Sequence, residues 1–458
     1  PTNLTSENFI GFAEDTVADG QTVTINTKGA IDDNMPQLVS SSNALGTAVV
    51  FESANSTYIA STFDSNSNRV VITYRDQGNS SYGTAVVGSV SGTSISLGTP
   101  VVFESASIDQ NNSVVFDSNS NKIVVAYEDA GNSKHGTAIV GTVDPSDNSI
   151  SFGSAVVFES AEVNNNTVTA TFDSNSNKVV ISYGDAGNSN YGTSIIGTVS
   201  GTSISFGTAV VFNSGGSSQT SSTFDSNSNK VVIAYKDGGN SKNGNAIVGT
   251  VSGTGISFGS EATFDSATIN YISASFDTNS NKVLLAYSRD DNPDGTNNAG
   301  FAVVGTVSGT DISFGTPVIF NDAVTSYLRD QSSFNSNLNK HIISYRDEGN
   351  SNYGTLIVAT ISGTSVSFGS ETVYESGAGY YGPTTFDNNA NKTVIAYQDS
   401  ANNQYGTARI LSPAGTLVDL TPAQTYFVQT DGTLSETADS PSVTAGTAVA
   451  GSTLIVKG

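Results

Sequence analysis

Residues 63–88 read FDSNSNRVVITYRDQGNSSYGTAVVG, and closely similar stretches begin at residues 116, 172, 224, 276, 334 and 386. Asn335 replaces the aspartate of the FD pair in the sixth copy, and the successive spacings of this position are 53, 56, 52, 52, 58 and 52 residues. A period this regular indicates tandem supersecondary units that pack against their neighbours. The copies are numbered here as repeats 1 to 7.

Each repeat has the sequence pattern of strands joined by tight turns. Short apolar or alternating runs are separated by Gly, Asn, Asp and Ser, which favours strands over helices. In repeat 1 we predict strand A over Tyr58–Asp64, strand B over Arg69–Arg75, strand C over Gly83–Ser89 and strand D over Ser94–Glu104. Strand B is apolar almost throughout, as a sheet covered on both faces requires. A four-stranded unit of about 50 residues that is repeated radially is typical of a β-propeller.

The ends of the repeat region predict how the propeller closes. No D-like strand follows strand C of repeat 7 at Gly406–Leu411, whereas GTAVVFESA at 46–54 precedes strand A of repeat 1. We therefore expect 46–54 to complete the sheet of repeat 7. The predicted fold is all-β, a seven-bladed β-propeller with four-stranded blades and a ring closed by the N-terminal strand. Closure of this kind removes exposed strand edges, which promote aggregation.

The two ends of the chain predict a second domain. Residues 1–36 and 413–458 lack the repeat and contain short alternating segments with glycine turns. Each end is too short to bury a core alone. Because a closed ring would bring the chain in and out through one blade, we predict that 1–36 plus 413–458 form one small split β domain for attachment or assembly. The propeller over 37–412 would be inserted in it.

Composition excludes several functional classes. The 458 residues include 17 Lys and Arg against 41 Asp and Glu, a formal net charge of −24. This charge disfavours nucleic acid and anionic membranes as partners. The chain has no Cys, so disulfides and thiol chemistry contribute nothing. The apolar runs are strand-sized, well short of the about 18 residues of a spanning helix. Pro1 is not an initiator residue, and we expect a processed or trimmed chain.

The terminal stretches carry a resemblance to a known group of proteins. LTSENFIGFAEDTVADGQTVTINTKG at 4–29, TYFVQTDGTLS at 425–435 and PSVTAGTAVAGSTLIVKG at 441–458 together resemble a small module in predicted structural and tail-fibre proteins of marine tailed bacteriophages. The repeat consensus VVIAYRDEGNSNYGTAIVGTVSGTSISFG is similar to repeats in the same group. In those relatives the two halves of the module run together, whereas here they are separated between about Asn34 and Leu417. The resemblance implies a virion component with no defined chemistry.

Comparison of the repeats with one another predicts a binding face. The A–B turns (DSNSNK or close to it) and the C–D turns (SGT) hardly vary, whereas the D–A connections and B–C loops do. Because the two variable connections share one face of a propeller, we expect recognition of a host-surface glycan or protein there. Tyr rings suit this role since they combine a stiff apolar face with a hydroxyl. The candidate ligand-binding residues are Tyr58, Tyr82, Tyr271, Tyr327, Arg329, Tyr380, Tyr381 and Tyr405. The alternative for the tyrosines of the YG pairs, such as Tyr82 and Tyr405, is that they only pack the B–C turns.

The sequence predicts no catalytic residue, cofactor or metal site. His135 and His341 are the only histidines, they lie in different repeats without an evident Ser or Cys partner, and the arginines form no sialidase-like cluster. DSNSN lacks the later Gly and Glu of a calcium loop, which favours Asx-type turns. The aspartates that end strand B, beginning with Asp76, are expected to cap turns rather than to hydrolyse glycosides. The recurrent Phe63 and Tyr74 series are expected in the core.

The preferred functional hypothesis is a non-enzymatic virion structural protein of a tailed phage, in a tail fibre, an appendage or a surface decoration. Its expected location is the virion or the extracellular space. Expected partners are other virion subunits through the split domain and a host-surface glycan or protein, and a homo-oligomer is left open. The alternatives are a purely structural decoration protein, a bacterial extracellular adhesin and, less favoured, a glycan-cleaving enzyme.

Overall fold

The computed structural model describes residues 43–164, 167–290, 298–328 and 331–413, together with strands at 425–428, 434–435, 443–450 and 453–455. The chain divides into two compact units, Leu45–Leu411 and a unit made of Pro1–Ala44 with Ser412–Gly458. The predicted domain limit at residues 36 and 37 lies outside the described residues.

The described elements are β-strands and four short 3-10 turns, with no α-helix among them. The strands of the first three repeats are β1 (Ala44–Leu45), β2 (Val49–Asp64), β3 (Arg69–Asp76), β4 (Tyr82–Ser91), β5 (Ser94–Leu97), β6 (Val101–Asp117), β7 (Lys122–Asp129), β8 (His135–Asp144), β9 (Ser149–Phe152), β10 (Val156–Glu162), β11 (Thr169–Asp173), β12 (Lys178–Asp185), β13 (Tyr191–Ser200) and β14 (Ser203–Phe206). The next three repeats contain β15 (Val210–Asp225), β16 (Lys230–Asp237), β17 (Asn243–Ser252), β18 (Gly255–Phe258), β19 (Ala262–Asp265), β20 (Ile269–Asp277), β21 (Lys282–Arg289), β22 (Ala299–Ser308), β23 (Asp311–Phe314), β24 (Val318–Ser326), β25 (Ser332–Asn335), β26 (Lys340–Asp347), β27 (Tyr353–Ser362) and β28 (Ser365–Phe368). The remaining strands are β29 (Thr372–Tyr380), β30 (Thr384–Asp387), β31 (Lys392–Asp399), β32 (Tyr405–Ser412), β33 (Thr425–Val428), β34 (Leu434–Ser435), β35 (Val443–Ala450) and β36 (Thr453–Ile455). The 3-10 turns are Gln77–Asn79, Ala130–Asn132, Ala186–Asn188 and Ser400–Asn402.

Each repeat forms an antiparallel sheet around its strand B. In repeat 1, β3 pairs with β2 on one side and with β4 on the other, and β4 pairs in turn with β5 and β6. The register places Phe63 opposite Val70. Val70, Val71, Ile72 and Tyr74 are fully buried, which confirms that strand B is covered on both of its faces.

The predicted strands A and D needed correction. Strand D of repeat 1 is divided into β5 and the start of β6, and β6 continues without a break into strand A of repeat 2. β2 and β15 likewise connect an outer strand to the inner strand of the following repeat. The D–A connections at these places are therefore extended strands with bulges, not loops, because the chain passes directly between neighbouring sheets.

The N-terminal segment pairs with the last strand of the repeats. Val49 lies opposite Ala408 and Val50 opposite Thr407, in an antiparallel pairing of β2 with β32. The predicted pairing of 46–54 with strand C of repeat 7 is confirmed. The first and last repeats also meet at their inner strands, where the hydroxyl oxygens of Ser61 and Thr385 are 2.6 Å apart.

A buried tyrosine near the end of strand B recurs in every repeat and anchors the outer strand. The Tyr74 hydroxyl donates to Glu52 Oε2 at 3.1 Å, and the Phe51 ring centroid lies 5.1 Å from that of Tyr74. The other members are Tyr127, Tyr183, Tyr235, Tyr287, Tyr345 and Tyr397, all fully buried. The core prediction is confirmed for this series. It was too strong for the Phe63 series, in which only Phe276 is buried and the other members are partly exposed.

Glycine in the YG pair is required by this packing. A Cβ on Gly83 would overlap the ring of Phe103 from the outer strand, and a Cβ on Gly136 would overlap Phe158 in the same way. The YG motif therefore marks where an aromatic ring lies directly on the backbone of strand C.

Aspartate side chains close the turns at both ends of strand B. Asp64 Oδ1 accepts from the backbone N–H groups of Asn66 and Ser67 at 2.9 and 3.0 Å, as the predicted Asx-type turn requires. Asp76 Oδ1 accepts from the N–H groups of Gly78 and Asn79. The turn-capping prediction for the aspartate at the end of strand B is confirmed.

In the unit formed by the two chain ends, the described strands make a four-stranded antiparallel sheet. Its order is β34, β33, β35, β36. Residues 1–36, the other half of the predicted split domain, lie outside the described residues.

Candidate functional site

A cavity of about 380 Å³ lies among the inner strands of the repeats. Every repeat contributes to its lining, with Tyr58, Asn112, Thr169, Gln219, Tyr271, Tyr327 and Tyr381 as one representative from each. The lining is therefore asymmetric, because repeats 1, 5, 6 and 7 contribute a tyrosine where repeats 2, 3 and 4 contribute smaller polar side chains. Small apolar or hydroxyl side chains such as Ala60 and Ser222 complete the wall.

The tyrosines of the cavity share an unusual backbone conformation. Tyr58, Tyr271, Tyr327 and Tyr381 have φ of 50°, 48°, 52° and 50°, in the left-handed region. Bulky residues rarely adopt this conformation, and each such residue costs about 1–3 kcal/mol. Tyr58 and Tyr271 lie within β-bulges of β2 and β20. Gln219, with φ of 52°, lies in the corresponding bulge of β15. The bulges direct these side chains away from the regular strand alternation.

The aromatic rings form a continuous cluster. The ring centroids of Tyr58 and Tyr381 are 5.0 Å apart, and those of Tyr381 and Tyr327 are 5.3 Å apart. Tyr327 also lies 4.9 Å from Tyr380 and 6.0 Å from Tyr271, in an edge-on and a stacked arrangement respectively. All five rings are half-buried. They combine an accessible ring surface with positions fixed by their neighbours.

The hydroxyl groups of Tyr271, Tyr327 and Tyr381 stay protonated at neutral pH. Burial raises the pKa of Tyr271, Tyr327 and Tyr381 above the usual value of 10.0, and Glu348 or a neighbouring tyrosine adds to the effect. A protonated phenol both donates and accepts a hydrogen bond. The cluster can therefore recognise hydroxyl groups of a ligand.

Two arginines flank the cluster. The guanidinium of Arg346 lies 4.7 Å from the ring centroid of Tyr380 and 5.7 Å from that of Tyr327. The guanidinium of Arg75 lies 6.0 Å from the ring centroid of Tyr58. These distances are in the range of cation–π contacts. The cluster thus has a cation at each side.

The wall opposite the tyrosines is polar and linked from repeat to repeat. Thr169 Oγ1 and Ser222 Oγ are 3.1 Å apart, and Ser113 Oγ accepts from the backbone N–H of Ala170 at 3.0 Å. The Asn112 Oδ1 accepts from the Thr73 hydroxyl at 2.6 Å. These bonds join strands of neighbouring repeats that share no backbone ladder, and they hold the cavity wall in place.

The structure brings together five of the predicted site residues and places two others, Tyr82 and Tyr405, outside the cavity lining. Tyr58, Tyr271, Tyr327 and Tyr381 line the cavity, and Tyr380 packs against Tyr327. Tyr82 and Tyr405 are the first residues of β4 and β32, half-buried and outside the cavity lining. Their register places them opposite Asp76 and Asp399 at the B–C turns. Arg329 lies outside the described residues.

Sequence reasoning missed Arg75, Arg346 and Gln219. The two arginines occupy the position just before the aspartate that ends strand B. Repeats 1 and 6 both have an arginine at this position, and each of the other repeats has a different residue there. The seven residues are Arg75, Glu128, Gly184, Lys236, Ser288, Arg346 and Gln398. Variation within an otherwise constant strand was the signal that could have found them.

The prediction that neither histidine has a serine partner was wrong for His341. Its Nδ1 lies 2.8 Å from Ser275 Oγ, and its Nε2 lies 3.8 Å from Asp277 Oδ2. His341 is fully buried, and burial lowers its pKa below 6.5. A neutral imidazole sealed from substrate cannot act as a catalytic base on a ligand, so this group joins repeats 5 and 6 structurally.

Within the described ranges, no group of three or more His, Cys, Asp or Glu side chains is arranged to hold a metal ion. The same part of the chain contains no helix with the length and apolar character needed to span a bilayer.

Comparisons with known structures concern the fold. The chain is similar to the BP39L lectin from Burkholderia pseudomallei, with a TM-score of 0.58 at 9% identity over 80% of this chain and 98% of the lectin. A protein of unknown function from Dyadobacter fermentans gives a TM-score of 0.46 at 11% identity, over 81% of this chain and 99% of that one. The NanB sialidase from Streptococcus pneumoniae gives 0.44 at 12% identity, over 81% and 71%.

The likeness to the lectin indicates a β-propeller-like, all-β antiparallel fold. No protein family and no curated protein matches the sequence.

Proposed function

We propose that this protein is a non-enzymatic glycan-binding protein whose binding site is the tyrosine-lined cavity of a seven-bladed β-propeller. The propeller part of the proposal is supported by three observations. β2 pairs with β32, Ser61 meets Thr385 across 2.6 Å, and inner strands of all seven repeats line one cavity. A ring of seven blades accounts for all three together.

The observation that carries the binding proposal is the left-handed backbone shared by four cavity tyrosines. Smaller or more permissive residues such as Gly or Asn would adopt this conformation at lower cost. Tyr58 and Tyr381 nevertheless keep it, with φ of 50° at each. Retained strain at a cavity is typical of functional sites. The strain places rings in the cavity that regular strands would direct elsewhere.

A glycan fits the chemistry of this cavity. The rings of Tyr58, Tyr327 and Tyr381 offer apolar surface for the face of a sugar, and the protonated hydroxyls of Tyr327 and Tyr381 can exchange hydrogen bonds with it. Gln219 adds an amide whose buried Oε1 has no hydrogen-bond partner in the described part of the chain. A few convergent polar groups on an aromatic surface are common in ligand sites.

The place of the protein in a phage particle is the second part of the proposal. It rests on the resemblance of both chain ends and of the repeats to structural and tail-fibre proteins of marine tailed bacteriophages. The unit made of Pro1–Ala44 with Ser412–Gly458 would attach the propeller to other virion subunits, and the cavity would contact the host surface. The protein would act on the virion or outside the cell.

A glycan array with the full chain tests the binding proposal. We expect the wild type to bind a defined set of glycans and the double variant Tyr327→Ala, Tyr380→Ala to lose at least tenfold in affinity. Tyr353→Ala is the matched control, because Tyr353 is a half-buried tyrosine at a B–C turn that does not line the cavity. Unchanged binding by the double variant would refute the site.

Two further measurements test the remaining parts. Mass spectrometry of purified phage particles should detect the protein, and its absence from particles would favour an adhesin. Incubation with the bound polysaccharide should release no shortened product. Release of a shortened product would show that the protein is a glycan-cleaving enzyme and not only a binding protein.

A further inference from the structure

Basic side chains contact the tyrosine cluster in a strongly acidic protein. The chain has 17 basic and 41 acidic residues. Even so, Arg75 and Arg346 flank the tyrosine cluster, and Lys236 lies near it, donating to Asn270 Oδ1 at 2.6 Å. All three occupy the same variable position before the last residue of strand B.

Two of these cations already have partners. Arg346 Nη2 donates to Asn352 Oδ1 at 2.7 Å, its Nη1 lies 3.9 Å from Glu348, and its guanidinium packs on Tyr380. Lys236 is bonded to Asn270. Both side chains therefore hold parts of the site in place, and neither offers a free guanidinium or ammonium group for a ligand.

Arg75 differs from the other arginines that the structure describes. Arg69 bonds Asn148, Arg289 pairs with Asp265, Arg346 bonds Asn352, and Arg409 donates to the Tyr374 carbonyl. The guanidinium of Arg75 has neither a hydrogen bond nor an ion pair with a described residue, and its Nε is buried. It lies against the face of Tyr58.

A half-buried guanidinium without a partner is costly unless an anion approaches it. The adjacent Asp76 forms no ion pair with Arg75 in the described part of the chain, and its Oδ1 instead caps the following turn. Tyr58, on which Arg75 rests, lines the cavity. Arg75 also lowers the pKa of Tyr381, against the larger effect of burial, which places its charge close to a second tyrosine of the cavity.

We propose that the ligand is an acidic glycan, with its carboxylate or sulfate bound by Arg75 and its sugar ring packed against Tyr58 and Tyr381. The inference rests on the proposed function and adds the chemical class of the ligand. A planar guanidinium donates two parallel hydrogen bonds to such an oxyanion. The cavity would thereby select acidic polymers although the protein as a whole repels them.

The test measures binding of the full chain to four immobilised polysaccharides: a carboxylated polymer, the same polymer after reduction of its carboxyl groups, a sulfated polymer and a neutral one. The proteins compared are the wild type, Arg75→Gln, Arg75→Lys and Lys178→Gln. Lys178 begins β12 at the A–B turn of repeat 3, and its ammonium group has no hydrogen bond or ion pair with a described residue. Its substitution therefore makes the same change in net charge away from the residues that line the cavity.

We expect tight binding of the carboxylated or the sulfated polymer, a loss of at least tenfold with Arg75→Gln, a smaller loss with Arg75→Lys, and no change with Lys178→Gln. Preference for one polymer identifies the anionic group. Binding should also weaken as salt is raised.

Equal binding of the carboxylated, reduced and neutral polymers, unaffected by Arg75→Gln, would overturn the inference and leave glycan binding intact. Failure to bind any glycan, in this test and on the array, would instead overturn the proposed function itself. Thermal unfolding of the Arg75 variants establishes whether they fold. If Arg75→Gln does not fold, Arg75→Lys still tests the role of the guanidinium in binding.

Discussion

Replacing Tyr58 by glycine should destabilise the protein less than replacing it by alanine. Both substitutions remove the ring, with its contacts to Tyr381 at 5.0 Å and to Arg75 at 6.0 Å. They differ only in how the new residue tolerates φ of 50°. Alanine in the left-handed region lowers the free energy of unfolding by about 1–2 kcal/mol. Glycine avoids this strain, but its greater chain entropy in the unfolded state lowers the free energy of unfolding by about 0.5–1 kcal/mol. The glycine variant should therefore be more stable by about 1 kcal/mol or slightly less.

Urea unfolding followed by tyrosine fluorescence measures this difference. In thermal unfolding the same difference corresponds to about 1–2 °C for a domain of this size. Tyr353 is the matched control, because it lies in β27 and is not among the residues with positive φ. There the order should reverse, and glycine should be less stable than alanine by about 0.5–1 kcal/mol.

The reasoning would be refuted if alanine were the more stable substitution at both positions. That result would mean that the backbone at Tyr58 is not strained, and the argument from strain to ligand binding would lose its basis. Both variants at position 58 should weaken glycan binding equally, since neither has the ring. Retained binding by either would show that the ring does not contact the ligand.

Further substitutions test the core and its ionisable groups. Tyr74→Phe should lower the free energy of unfolding by about 1–3 kcal/mol, because it removes the donor of the half-buried Glu52 carboxylate. Tyr397→Phe should cost close to nothing, since that buried hydroxyl has no partner in the described residues. Equal losses in urea unfolding would contradict this. Gly83→Ala should destabilise by about 1–3 kcal/mol, because the new methyl group overlaps an outer-strand ring; an unchanged urea midpoint would exclude that packing. Burial, reinforced by a neighbouring aspartate, raises the pKa of Glu128 from 4.5 to about 7, so its contribution to stability is present below pH 4.5 and is lost as the pH rises through 7. Glu128→Gln should flatten the pH dependence of the unfolding free energy between pH 4.5 and about 7, and an unaltered slope would be the contrary result.

The sequence by itself determined the architecture of the repeats. A constant period, an apolar strand B and the DSNSN turns were sufficient to predict antiparallel sheets, the Asx turn at Asp64 and the cap at Asp76. The missing last strand of repeat 7, with its equivalent at 46–54, predicted the pairing of β2 with β32. These features depend on local turn chemistry and on the alternation of buried positions, both of which can be read from neighbouring residues.

The boundaries of strands A and D could not be read in this way. The D–A segments contain Asn, Ser and Gly, which have the composition of loops, but in β2, β6 and β15 they are extended. Their hydrogen bonds are made with two different sheets, so the partners that stabilise them lie in neighbouring repeats. Local propensity contains no information about those partners.

Only the tertiary structure decided which tyrosines form a site. Tyr58, Tyr327 and Tyr381 are more than 50 residues apart in sequence, yet their rings form one cluster because the inner strands of different repeats surround a common cavity. Tyr82 was predicted on the same face, but it lies at a B–C turn outside the cavity lining. The unpartnered state of Arg75 likewise follows from the positions of residues in several strands. The residue types of each repeat can be read from the local sequence. Contacts between rings, backbone strain and an unpaired charge depend instead on segments that are distant in sequence and close in the folded structure.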